Sequence, residues 1–264
     1  MGLLSENEGT EELYWYWIKR YLEWNGNVRD KNILFSQRRI EHYIEHLKEK
    51  GYASSTINTS LAAIRKWGIG FGYTFVVANK PSVREELPEM LEEAEVKRLI
   101  ENTADIRDKT LYSLMFDSGL RVGEALALNV ADIDLSDKTV FLNGRKNKRE
   151  VPSVIPFGEQ TKTYLEAYLT ERKRLKITDE ALFVGRSGRL THSAIWKNLD
   201  KWSRALIGKH VRPHQLRHSC AISLRKAGVP IEDIQSFLGH SSPTITLRYA
   251  RLFPEELKNL PPRL

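Results

Sequence analysis

The amino-acid sequence predicts a mainly α-helical protein with one small antiparallel β-sheet. Three observations indicate this fold class. Apolar residues recur at helical spacing through the first 80 residues, a Pro- and Ser-containing stretch then breaks the periodicity, and three short strand-like segments follow further on. A chain of 264 residues is long enough for two domains. We expect a helical N-terminal domain at 1–80, a linker at 81–90 and an α+β domain with a C-terminal tail at 91–264.

The N-terminal domain is predicted to be helical throughout. Leucine, tryptophan and tyrosine recur at helical spacing over residues 13–24. Ser36 is suited to cap a second helix that Gly51 ends, and a third helix is expected to begin near Ser54 or Ser55. We expect the many aromatic residues to form a core rather than to surround a ligand.

The C-terminal domain is predicted to alternate between helices and short strands. The segments VADIDL, TVFLN and VPSVIP indicate three strands, with the cationic turn GRKNKRE between the last two. ALFV is a further short extended segment. Gly119 is suited to end a helix in the left-handed conformation. Helices are expected at 92–101, 106–118, 121–128, 158–169, 191–207, 213–227 and 231–238.

Charge is concentrated near the C-terminus. The formal net charge is +7 with a sequence pI of about 9.3. Residues 201–251 hold nine lysines and arginines against two acidic residues, which equals the excess of the whole chain. This distribution indicates a polyanionic partner. The single cysteine, Cys220, excludes an internal disulfide and fits a reducing compartment, and we find neither a membrane span nor a signal peptide, so we expect a cytoplasmic protein.

Several side chains suited to phosphate chemistry lie in the same region. Tyr249 follows His240 by nine positions, and its phenol, with an ordinary pKa near ~10, needs surrounding cations to become a good nucleophile. His214 and Arg217 lie three residues apart on one predicted helix, so their side chains point the same way. Pro213 places them in the first turn of that helix, where an anion is favoured.

Two further features bear on the site. Arg121 lies in an otherwise apolar helix, where Glu124, three residues on, is suited to orient it. The spacing of His210, His214 and His218 allows a metal site, but Pro213 sets His210 ahead of the helix and off its face, so we expect no metal.

The sequence resembles the tyrosine recombinase (integrase) family, especially its compact Xer-type members, over residues 88–251. The resemblance implies a helical core-binding domain, which clamps DNA, followed by the α+β catalytic domain. It rests jointly on four segments: SGLRVGEALAL, GRKNKREVP, PHQLRHSCAISLRKAG and IQSFLGHSSPTITLRYA.

The resemblance also implies a role for each matching residue. Tyr249 attacks a DNA phosphodiester and forms a 3′-phosphotyrosine, which leaves a free 5′-hydroxyl. Arg121 and Arg217 hold the non-bridging oxygens, with Glu124 supporting. His214 donates to the phosphate or acts as acid or base, and His240 is a further donor.

A lysine of the hairpin is implied to protonate the leaving 5′-oxygen, yet this chain departs from the usual Gly-Lys pair. Arg145 follows Gly144, and arginine is a poor general acid because its pKa stays above ~12. We therefore assign the role to Lys146, with Lys148 as the alternative. Further DNA contacts are expected from a cationic set: Arg145, Lys148, Arg149, Arg212 and Arg248.

The function predicted is site-specific recombination of double-stranded DNA by a homotetramer on two sites, without cofactor, nucleotide or metal, in the cytoplasm at the nucleoid. Two alternatives stay open: a type IB topoisomerase-like relaxase and an inactive DNA-binding protein. The sequence does not give the target site, and it does not decide between dimer resolution and integration of a mobile element. It also leaves open whether Tyr249 acts in its own subunit or in a neighbour, and whether the tail PEELKNLPPRL packs on another subunit.

Overall fold

The computed structural model describes residues 8–77, 81–82, 90–143 and 153–239, with side chains from residue 10 onward. Contacts between residues divide the chain into two compact units, Met1–Glu86 and Leu87–Leu264. The mainly helical fold class with a small antiparallel sheet is confirmed. Within the described ranges, no helix combines the length and the apolar character that a bilayer crossing requires.

The first unit contains four helices in its described residues, as the periodicity predicts for three of them. They are α1 (Glu8–Asn25), α2 (Lys31–Leu34), α3 (Gln37–Glu49) and α4 (Ser54–Ile69). Ser36 caps α3 as expected, because its hydroxyl accepts the N–H of Arg39 at 3.4 Å. The short α2 was not predicted, since four residues are too few to show a period. Its cap, Asp30, accepts the N–H of Asn32.

Aromatic residues contribute to the core of this unit, as the sequence predicts, but they share it with aliphatic residues, and Trp15 and Tyr16 are exposed. Tyr21 and Tyr43 are buried with their ring centroids 4.8 Å apart, in an edge-on arrangement that aromatic pairs prefer. Leu13, by contrast, lies on the exposed face of α1 although it shares the helical spacing of the buried residues.

The second unit contributes seven helices to the described part of the chain. They are α5 (Glu93–Asn102), α6 (Ile106–Asp117), α7 (Val122–Ala127), α8 (Glu159–Arg174), α9 (His192–Ile207), α10 (Pro213–Lys226) and α11 (Ile231–Leu238). Each agrees within a few residues with a predicted helix, apart from α8, which continues five residues beyond the predicted end. The extra turn is held by the buried Arg172, which donates to the carbonyls of Leu182 and Asp179.

A three-stranded antiparallel sheet, ordered β1-β2-β3, lies between α7 and α8 in the chain. It comprises β1 (Ile133–Asp134), β2 (Thr139–Leu142) and β3 (Ser153–Pro156), with Val140 opposite Ile155. The first strand is shorter than VADIDL predicts. Residues 130–132 form a 3₁₀ turn because the carboxylate of Asp132 accepts the N–H of Asn129 at 2.8 Å. ALFV enters a second small sheet only at its end, where β4 (Val184–Gly185) pairs with β5 (Gly188–Arg189).

Helix α6 forms the centre of the second unit. Its buried residues Leu111, Leu114 and Met115 belong to a core that includes the β2 strand and helices α5, α8, α9 and α10. Asp108, also buried on α6, accepts hydrogen bonds from Asn198 and Trp202 of α9. Helix α6 therefore supports the helices that pack against it, α5, α8, α9 and α10.

Gly119 links this support to α10 and α11. It ends α6 with a φ of 57°, as predicted. A Cβ built at this position would lie 2.4 Å from Cδ2 of Leu238, a separation that requires the Leu238 side chain or α11 to shift. The carbonyl of Gly119 also accepts a hydrogen bond from the guanidinium of Arg217. A side chain added here would therefore strain the backbone and disturb the contact with Leu238.

We expect Gly119→Ala to lower the free energy of unfolding by about 3 kcal/mol, since left-handed strain and overpacking both apply. Gly208→Ala is the matched control: Gly208 ends α9 with a φ of 69° and has no atom within 4 Å of its would-be Cβ. The control should lose about 1 kcal/mol from strain alone. Urea denaturation of both variants measures the difference, and equal losses would contradict the contact with Leu238.

Candidate active site

The site is organised by the buried carboxylate of Glu124, whose side chain is 2% exposed. Its oxygens accept the backbone N–H and the Nη1 of Arg121, each at 2.8 Å. Nη1 of Arg217 lies 3.9 Å from the same carboxylate. A buried carboxylate needs cationic partners because its desolvation is costly. Two guanidinium groups, one from the residue directly before α7 and one on α10, are thus held around a single anion.

Both arginines also hold the end of α11. Arg217 donates to the carbonyl of Leu238 at 2.6 Å, and Arg121 donates to the carbonyl of Gly239 at 2.8 Å. The last carbonyls of a helix lack partners within the helix and attract cations. Gly239 has a φ of 62° and precedes His240 in the sequence. The chain therefore leaves α11 toward residue 240 directly beside the arginine pair.

The two guanidinium groups differ in access to solvent. The side chain of Arg121 is 32% exposed, whereas that of Arg217 is 5% exposed. Arg121 accordingly presents the open cationic surface, and Arg217 lies behind it against the carbonyls of Gly119 and Leu238.

His214 is the second residue of α10, directly after Pro213, and it lies on the exposed side of that helix. Partial burial among surrounding protein atoms lowers the pKa of His214 below its ordinary value of 6.5, and the charges of Arg217, Arg121 and His192 lower it further. Within the described part of the chain its imidazole makes no hydrogen bond. The lowered pKa favours the neutral imidazole at neutral pH.

Arg212 lies one position before α10 and is exposed, and its N–H donates to the side-chain carbonyl of Gln215 at 2.6 Å. His210 precedes the helix, as predicted, and contacts the carboxylate of Asp200. Residues 8–77, 90–143 and 153–239 contain no group of three or more metal-ligating side chains.

Seven predicted site residues lie outside the described ranges, so their placement stays a prediction. They are Arg145, Lys146, Lys148, Arg149, His240, Arg248 and Tyr249. The structure brings Arg121, Glu124 and Arg217 into contact and places His214 near the two arginines.

The sequence analysis missed His192, the first residue of α9. Its imidazole faces the first turn of α7, where a Cβ built on Gly123 would lie 3.8 Å from Nε2. It is also close enough to His214 for its charge to lower the pKa of that ring. A histidine at the start of a predicted helix was the available signal, but the fold was needed to place it beside α7.

The comparison with protein families agrees with this geometry. Residues 89–256 match the phage integrase family, and residues 5–66 match the N-terminal SAM-like domain of phage integrases. The chain belongs to the phage integrase family. The first of these segments contains all the predicted site residues.

Relatives of this chain include Xer recombinases. The chain is 30% identical to tyrosine recombinase XerA of Thermococcus kodakarensis over 98% of its length and 90% of the relative. It is 34% identical to XerC of Haemophilus ducreyi, over 77% of this chain and 70% of that protein. It is 33% identical to XerD of Oceanobacillus iheyensis, over 85% and 80%.

Solved integrase-family structures share the fold. The crystal structure of XerA recombinase matches with a TM-score of 0.59 at 26% identity, covering 98% of this chain and 94% of that one. XerH site-specific recombinase bound to difH matches with a TM-score of 0.67 at 20% identity, covering 93% and 75%. This integrase-family protein is a tyrosine-type site-specific recombinase, an enzyme that breaks and rejoins DNA. These relatives favour neither the topoisomerase nor the inactive alternative.

The lowered pKa of His214 predicts proton uptake when DNA binds. A phosphate placed beside the ring raises its pKa, so DNA affinity should rise as the pH falls through the bound-state value and level off below the free-state value. Calorimetric titration near pH 6 in two buffers with different ionisation enthalpies measures the uptake. His214→Gln should take up fewer protons than the unaltered protein, and equal uptake by both would refute the assignment.

Proposed function

We propose that Arg121, Arg217 and His214 bind the scissile phosphate of a recombination site. The observation that carries this proposal is the shared carboxylate of Glu124, which fixes two guanidinium groups from different helices before DNA arrives. Guanidinium groups match the oxygens of a phosphate, and fixed donors stabilise the charge that grows there in the transition state. Losing one such donor typically costs ~10²–10³ in rate.

The reaction proposed is an exchange of esters. The oxygen of Tyr249 bonds to phosphorus while the bond from phosphorus to the 5′-oxygen breaks, so one phosphodiester is replaced by one 3′-phosphotyrosine. The phenolic proton passes to a base, a role that His214 can fill whenever its imidazole is in the neutral form. Rejoining reverses these steps with a second 5′-hydroxyl, so no nucleotide is consumed.

The remaining site residues complete this assignment. His240 follows Gly239, whose carbonyl is bound by Arg121, and is proposed to donate to the phosphate. Lys146 is proposed to protonate the leaving 5′-oxygen, with Lys148 as the alternative, since Arg145 occupies the usual lysine position. The cationic residues proposed to contact the DNA backbone are Arg145, Lys148, Arg149, Arg212 and Arg248.

The biological assignment is Xer-like recombination by four copies on two DNA sites at the nucleoid, with dimer resolution favoured over integration. The support is the similarity to XerA, XerC and XerD over most of the chain. We further propose that residues 1–80 act as the DNA-clamping domain, 81–90 as the linker and 91–264 as the catalytic domain. The match to the SAM-like domain of integrases supports the first of these roles.

Trapping of the covalent intermediate tests the chemistry. The substrate is a DNA site with a nick close to the cleavage point, so that the short fragment with the 5′-hydroxyl diffuses away and rejoining cannot occur. The protein should then stay attached to a 3′ end, and sequencing of those ends gives the polarity and the position of cleavage. Tyr249→Phe should abolish the adduct while DNA binding persists, because the ring stays and the nucleophile is lost. An adduct that survives in this variant would rule out Tyr249, and efficient relaxation of supercoiled DNA without a site would favour the topoisomerase alternative.

The general acid can be identified with a substrate whose scissile 5′-oxygen is replaced by sulfur, which leaves without a proton. We expect Lys146→Ala to slow cleavage of ordinary DNA by about 10²-fold and to recover on the sulfur substrate. Lys148→Ala serves as the matched control and should show no such recovery. If only the Lys148 variant recovers, Lys148 is the general acid and Lys146 is not. If neither variant recovers, neither lysine is the general acid.

A further inference from the structure

A second histidine lies at the proposed phosphate site. His192 begins α9, and its Nε2 and Cε1 lie 3.8 and 3.9 Å from the position of a Cβ on Gly123. Gly123 lies in the first turn of α7, which begins directly after Arg121, so the imidazole of His192 adjoins the helix end that Arg121 caps. The three side chains reach this region from three helices, α7, α9 and α10.

The described surroundings of His192 leave its ring exposed to solvent. The ring makes no hydrogen bond within the residues that the structure describes. The acidic group on α7, Glu124, is buried and already bound to Arg121 and close to Arg217. Arginine side chains carry only donors, so neither Arg121 nor Arg217 can accept a hydrogen bond from the imidazole.

A bound polyanion supplies hydrogen-bond acceptors to the imidazole. A phosphodiester that approaches the exposed guanidinium of Arg121 also brings negative charge near the exposed ring of His192. DNA presents a phosphate every 3.4 Å of axis along each strand, so a strand held at Arg121 necessarily brings neighbouring phosphates close by. Nε2 then has an acceptor, and a hydrogen bond to a charged group is stronger than one between neutral groups.

We propose that His192 binds a non-bridging oxygen of a DNA backbone phosphate next to the scissile one. The inference rests on the proposed function, because it takes the phosphate at Arg121 and His214 as the scissile phosphate. His192 acts as a positioning residue: its contact fixes the register of the strand, so that the scissile phosphorus is centred between the arginines. It takes no part in bond making or bond breaking.

The test pairs variants of His192 with single neutralised phosphates. Methylphosphonate replaces, one position at a time, the phosphates within three nucleotides of the cleavage point, and DNA affinity and single-turnover cleavage are measured for the unaltered protein and His192→Ala. A contact appears as coupling in a double-mutant cycle. We expect one flanking position at which neutralisation weakens the unaltered protein by about tenfold and leaves His192→Ala unaffected.

Two further variants keep the result interpretable. His192→Gln retains an N–H donor and should restore much of the lost affinity, which a purely structural role of the ring would not predict. His210→Gln is the matched control, since His210 is an exposed histidine of the same unit that contacts Asp200 instead. It should show the methylphosphonate profile of the unaltered protein.

Failure of this inference is distinguishable from failure of the proposed function. Should the unaltered protein form the covalent adduct while no phosphate position couples to His192, or while all positions couple equally, His192 is not a phosphate ligand and the recombinase chemistry stands. Coupling confined to the scissile phosphate would also overturn the flanking assignment. Absence of any adduct with the unaltered protein would instead overturn the proposed chemistry.

Discussion

The architecture of the site depends on one buried negative charge. Glu124 is surrounded by protein, and its carboxylate is stable there because guanidinium groups from α7 and α10 neutralise it. The same attraction prevents Arg121 and Arg217 from separating in the absence of DNA, when their mutual repulsion would otherwise drive them apart. The energy needed to assemble two like charges is therefore met during folding, and substrate binding does not have to supply it.

The rest of the second unit keeps this arrangement in place. Helix α6 supports α9 through the polar contacts of Asp108 and adjoins α10 in the apolar core. Where α6 ends, the absence of a side chain at Gly119 lets α11 approach closely and exposes a carbonyl to Arg217. Packing, backbone conformation and charge are thus coupled at one point. We expect a change in any of them to shift the arginine pair, although neither Gly119 nor Asp108 is proposed to transfer a proton.

Sequence reasoning recovered the helices and the arginine–glutamate pair because both depend on short spacings along the chain. Arg121 and Glu124 are three residues apart, which fixes their proximity on a helix. It did not recover contacts made between distant segments. Arg217 meets the carbonyl of Gly119 across 98 positions, and His192 meets α7 only through the packing of α9. Backbone carbonyls also carry no signature in a sequence, so the attachment of both arginines to α11 could not be foreseen.

That attachment limits how far the nucleophile can travel. The carbonyl of Gly239 is bound to Arg121 at 2.8 Å, and Tyr249 follows ten positions later. A fully extended chain advances at most ~3.3–3.6 Å per residue, so the intervening peptide is a tether of at most about 35 Å. Whether the hydroxyl serves its own arginines or those of an adjacent copy, the pair that it serves must lie within that distance plus the length of the tyrosine side chain. If the tyrosine of one subunit acts at the arginines of its neighbour, the length of this short peptide therefore sets an upper limit on the distance between the two arginine pairs.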